Sequence, residues 1–129
     1  MKNLKSYQVK ELADNLLRMT NELGNYRYTN FDKLSETENR RIKELHDRLL
    51  SHTTELYTKS AVLVMDDVKT SLEQIETVTQ ETLQLFKNLT GVQKVLDRAT
   101  SILTLASSII ALDPKGITSS IKSLLSPLV

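Results

Sequence analysis

Few side chains in this sequence could do chemistry. The only imidazoles are His46 and His52. Six residues apart, they would stand about 120° from each other around a helix, so they cannot share a face as an i,i+4 metal pair does. No Glu-x-x-His occurs, which removes the signature of a di-iron bundle. Cysteine is absent, so no thiolate can serve as nucleophile or ligand. Gly24, Gly91 and Gly116 are isolated and build no phosphate-cradling loop. Asp66-Asp67 and the series Glu73, Glu76, Glu81 read as solvated charge rather than paired catalytic carboxylates. His52 falls where a helical stripe expects an apolar residue and reads as a half-buried structural histidine. No catalytic, cofactor-binding or metal-binding set is expected, and the chain is not expected to be an enzyme.

Binding chemistry is better represented. Gly24 to Leu34 reads as the one substantial loop and holds Tyr26, Tyr28 and Phe31, half of the aromatic residues (Tyr 4, Phe 2). With Arg27 they form a candidate partner-binding site, since aromatic residues and arginine dominate interface hot spots. The competing reading makes the same rings a plug for one end of a helical bundle. A second candidate surface is the apolar hairpin of residues 92–128, carried by Leu105, Ile109, Leu112, Ile117, Ile121 and Leu124. From Ala99 to Leu112 the sequence has no charge, and beyond residue 98 only Asp113, Lys115 and Lys122 are charged. Such a stretch is a core element, a partner surface or a membrane-contacting segment, in that order of expectation. Its uncharged run is short for a membrane span, and its polar residues are Ser and Thr rather than the Lys and Arg typical of interfacial helices.

The elements that must position these residues are helices. Val9, Leu12, Leu16, Met19 and Leu23 recur at 3-4-3-4 spacing, which predicts a helix over about 3–23 with Gly24 as its stop. Ser35-Glu36-Thr37-Glu38 fits a capping box and starts a second helix over about 36–58, with Ile42, Leu45, Leu49 and Leu56 on its stripe. No Gly or Pro interrupts residues 26–90. The segment 36–90 is therefore either one long or kinked helix, roughly 80 Å if straight, or two helices broken near Tyr57 to Asp67. In the second case Asp66 or Asp67 caps a helix over about 66–90. A strict heptad fails across this region, which limits the coiled-coil character of the stripes. Val92 opens a helix over about 92–112 that is apolar almost all round at its end, a pattern that predicts burial. Asp113 and Pro114 then serve as N-cap and first residue of a final helix over about 114–125.

The totals agree. With 129 residues, 40% hydrophobic and 26% charged, the chain is expected to form one domain, 1–129, an all-α antiparallel bundle of four to five helices with the fourth at its centre. A net charge of +1 provides no field for nucleic acid, and none is expected as a partner. Neither a secretory leader nor a transmembrane helix is apparent, so the expected location is intracellular and soluble, with leaderless export open. The function that follows is a non-enzymatic interaction protein, binding a protein partner or self-associating through apolar helix faces. Adaptor, chaperone and neutraliser are equally compatible settings. The alternative is a membrane-active protein that uses the 92–128 hairpin.

Overall fold

A computed structural model describes residues 2–58, 64–65, 68–88 and 91–125. Five α-helices make up nearly all of it: α1 (Ser6–Asn30), α2 (Glu36–Thr58), α3 (Val68–Lys87), α4 (Val92–Ile110) and α5 (Pro114–Leu125). A two-residue strand pair joins β1 (Lys2–Asn3) to β2 (Val64–Met65), antiparallel, with Lys2 opposite Met65 and Asn3 opposite Val64. This pairing is why α1 begins at Ser6 rather than at residue 3. The segment 36–90 is two helices, α2 and α3, and the expected Asp66 or Asp67 cap lies outside the described residues.

The helix starts follow their local chemistry. At α1 the Gln8 side chain turns back to accept from the Lys5 amide at 2.8 Å. At α2 the capping box is closed from both sides: the Ser35 amide donates to Glu38 Oε1 at 2.8 Å, and the Glu38 amide donates to Ser35 Oγ at 3.1 Å. At α5 the Gly116 amide donates to Asp113 Oδ1 at 3.1 Å. Gly116 is there for space, because a Cβ would fall 2.5 Å from the same carboxylate and 2.9 Å from Ser108 Oγ.

Gly24 does not stop α1, which runs on to Asn30. The buried stripe continues past it without a break through Leu23, Tyr26 and Asn30, keeping the spacing set by Met19. Glycine serves instead for close approach to α2. A Cβ at Gly24 would meet the His46 ring at 3.2 Å from Nε2 and 3.3 Å from Cδ2. Helix propensity alone cannot end a helix whose next turns still have apolar surface to bury.

Packing joins the helices in a ring. α1 lies against α2 and α3, α4 against α2 and α5, and α5 against α3. No helix is encircled by the others, so α4 is one wall of the ring and not its centre. The side chains of Leu12, Leu16, Met19, Ile42, Leu49, Ile75, Val95, Ile102, Leu105 and Ile109 meet inside as one core. Four threonines are buried among them, and each satisfies its hydroxyl by donating to the carbonyl one turn back: Thr20 to Leu16, Thr53 to Leu49, Thr79 to Ile75 and Thr82 to Val78.

The backbones of α3 and α4 come close at few positions. Arg98 of α4 spans the gap while itself only 3% exposed. Its Nε donates to Thr82 Oγ1 at 2.9 Å, Nη2 to the Val78 carbonyl at 3.2 Å, and Nη1 to the Leu124 carbonyl at 2.9 Å. The guanidinium therefore ties α3, α4 and the last turn of α5 together, and its positive charge suits the negative end of the α5 dipole. Burial pulls the Arg98 pKa below its usual value, and Glu81, 3.9 Å away, partly opposes that shift.

Leu112 follows α4 in the left-handed region, with φ 56°. Its amide donates to the Ile109 carbonyl at 3.1 Å and the Asp113 amide donates to Ser108 at 3.0 Å. This is the hydrogen-bond pattern of a Schellman stop, with leucine where glycine is usual.

Two stability measurements test these assignments. Arg98→Met should lower the unfolding free energy by about 2 kcal/mol, mainly because the buried Leu124 carbonyl loses its donor. Glu81→Gln, which removes a charge on a half-exposed side chain, should cost less than about 1 kcal/mol. Urea denaturation of both variants distinguishes carbonyl satisfaction from ion pairing as the source of the stabilisation. Leu112→Gly should stabilise by about 1 kcal/mol, because it relieves a side chain held at positive φ; thermal melts report the sign.

Candidate functional site

Extending α1 to Asn30 reassigns the four aromatic-site residues. Tyr26 and Asn30 fall on the inward face, and Asn30 Nδ2 donates to the Tyr26 carbonyl at 2.9 Å. Tyr26 is a core residue, and burial, with Glu38 nearby, raises the pKa of its hydroxyl. Arg27 and Phe31 sit four apart and share a different, solvent-facing side. The Arg27 guanidinium lies over the Phe31 ring, 5.4 Å from its centroid. Phe31 is half exposed and Tyr28, next to it around the helix, is 86% exposed. The structure thus separates the expected cluster into one plug, Tyr26, and one surface group of Arg27, Tyr28 and Phe31.

The corner between α1 and α2 holds this group in place. Phe31–Lys33 forms a single 3₁₀ turn, and Leu34 is extended before the Ser35 cap. Asn39, in the first turns of α2, fastens the corner: its Nδ2 donates to the Phe31, Leu34 and Ser35 carbonyls at 3.2–3.3 Å. The Asn39 carbonyl accepts from Arg27 Nε at 3.2 Å. A groove of about 490 Å³ opens beside it, with Phe31 and Leu34 as apolar wall and Arg27, Arg40 and Lys43 as cations, flanked by Asp32 and Glu36. Sequence spacing contained the signal for the Arg27–Phe31 stack, an i,i+4 pair, once the helix is known to pass Gly24.

The apolar hairpin candidates occupy the opposite environment. Leu105, Ile109, Ile117, Ile121 and Leu124 are at most 2% exposed and belong to the core. Only Leu112, at the bend, reaches solvent, being 39% exposed. Among the described residues no helix is long and apolar enough to cross a membrane.

The histidines are not brought together. His46 packs on Gly24, with Nδ1 3.4 Å from Asp47 Oδ1. His52 lies between α2 and α4 with Nε2 3.4 Å from Ser107 Oγ, and its buried Nδ1 has no hydrogen-bond partner among the described residues. Among the described residues no carboxylate is hydrogen-bonded to the His52 ring, the position that a third member of a serine-activating set would take. Among the described residues no three His, Asp or Glu side chains converge as a metal-binding group. The chain matches no known family model, no curated protein and no solved structure.

The most perturbed titrating pair is at the far end of the α1–α2 hairpin, where the Tyr57 hydroxyl donates to Asp14 Oδ1. This bond, more than the neighbouring Lys10, holds the Asp14 carboxyl below its usual range. Burial, followed by the bond to Asp14, pushes Tyr57 up from 10.0 to about 12. The Asp14 contribution to stability is therefore complete above its unfolded value of 3.8 and disappears as pH falls through the lower folded value. The Tyr57 contribution is complete below pH 10 and disappears as pH rises toward about 12. Tyr57→Phe should raise the Asp14 pKa in an NMR carboxyl titration and flatten the alkaline loss of stability; an unchanged Asp14 titration would show that the hydroxyl is not its main partner.

Proposed function

We propose that this chain is a non-enzymatic interaction protein that binds a protein partner at the corner where α1 turns into α2. What supports the reading is that Phe31 stays 52% exposed while carrying the Arg27 guanidinium on its face, beside the almost fully exposed Tyr28. α1 buries its apolar stripe from Val9 to Tyr26. At this corner two aromatic rings, one at the end of the helix and one in the turn after it, are left largely in water; Tyr7, in the first turn of α1, is also exposed but stands alone. Exposed aromatic area costs about 25 cal/mol per Å² relative to a covered state. Tyrosine and arginine in one patch are also the residue types that carry most interface energy.

The remaining chemistry favours binding over catalysis. The carboxylates of Lys10–Asp14, Glu36–Arg40 and Lys43–Asp47 are engaged in ordinary i,i+4 pairs along helix surfaces. His52 and Ser107 meet at the interface of α2 and α4, 3.4 Å apart.

Tyr28→Ala and Phe31→Ala change exposed side chains and should each alter stability by no more than about 0.5 kcal/mol. Cross-linking and co-purification from the native host should then recover a partner with the parent chain and lose it with the double variant. If both chains recover the same proteins and have the same mass in solution, the corner is not the binding surface.

A further inference from the structure

Arg27 is held in a way that a merely solvated arginine is not. Its Nε is committed to the Asn39 backbone carbonyl at 3.2 Å, and its guanidinium carbon lies over the Phe31 ring. Its two Nη groups have neither a hydrogen bond nor an ion-pair partner among the described residues, although Asp32 and Glu36 line the same groove. The other cations of the groove are engaged: Arg40 with Glu36 at 4.0 Å and Lys43 with Asp47 at 2.8 Å. A guanidinium fixed in orientation, with its outer fork unused, has the geometry that grips a carboxylate through two parallel hydrogen bonds.

We infer that this groove reads one carboxylate flanked by a large apolar side chain, so that the partner presents an acidic residue next to an aromatic or aliphatic one. This rests on the partner-binding reading above and names the chemistry of what binds there. Phe31 and Leu34 supply the apolar wall and Arg27 the anion contact. Charge balance selects a carboxylate over a phosphate. With Arg40 and Lys43 already paired to Glu36 and Asp47, Arg27 is left as the cation that faces an incoming anion, which suits a single carboxylate and leaves a dianion under-compensated.

The test uses the intact chain, labelled with ¹⁵N, and three small probes: N-acetyl-phenylalanine, its neutral amide, and phenyl phosphate. N-acetyl-phenylalanine should bind in the millimolar range expected for a fragment. It should move the Arg27 Nε–H signal together with the amides of Phe31, Leu34 and Asn39. The amide should bind at least about fivefold more weakly, because it leaves the Arg27 fork without an anion. Arg27→Lys should abolish that preference while retaining the charge, and the comparison on the parent chain stands even if this variant unfolds. Equal binding of acid and amide, tighter binding of phenyl phosphate, or the absence of shifts at the groove overturns the inference. In any of these cases, loss of a partner by the Tyr28 and Phe31 variants would still uphold the corner as a binding surface, so the two readings fail separately.

Discussion

The architecture depends on what Arg98 does inside the protein. In the ring of five helices α3 and α4 are not neighbours, and their backbones come close at few positions. A charged side chain joins them because it can satisfy three acceptors from two other helices at once. Burying a guanidinium is unfavourable by itself, and only the full set of bonds offsets it. The half-exposed Glu81 carboxylate contributes little to that offset. The interaction is directional, so it fixes how far α5 can slide along α4 and which turn of α3 faces them. The apolar core around it, made of leucines and isoleucines that tolerate small shifts, would not specify this alignment alone.

Much of the fold could be read from the sequence because the apolar stripes recur at helical spacing and two helix starts carry a chemical mark. Ser35 with Glu38, and Asp113 with Pro114, state where α2 and α5 begin, and both marks operate as hydrogen bonds. The stripes on α1, α2 and α4 likewise bury most of the residues their spacing selects, with Leu45 of α2 only partly covered. What could not be read has physical causes. Gly24 looks like a helix stop because glycine more often ends helices than lines their crossings, and the His46 ring that explains it is distant in sequence. Arg98 stands at the edge of a charge-free run and looks like its solvated boundary. Nothing local reveals that three acceptors will be waiting for it. The placement of α4 at the centre also failed, since an all-round apolar helix can be covered by two neighbours and a core without being encircled.

The candidate site shows the same division. The residue types at positions 26, 27, 28 and 31 marked a region of interest, but their roles depended on whether the backbone there is loop or helix. As helix, the 100° step between residues sends Tyr26 inward and leaves Arg27, Tyr28 and Phe31 outside. The plug and the contact surface, which looked like competing accounts of one cluster, are consecutive residues on opposite sides of one turn. Tyr26 anchors the turn whose other face is offered to solvent.

The short β1–β2 pair links residues more than sixty positions apart, and for a free chain such a closure is entropically unfavourable by roughly 4 kcal/mol. Two residues of ladder could not sustain it alone. The α1–α2 hairpin, however, already returns the chain to its origin, so by the time β1 meets β2 the loop has been closed by helix packing. The strand pair is then a latch that engages only on a correctly folded hairpin, and the protection of its amides from solvent exchange becomes a local gauge of whether those two helices are in register.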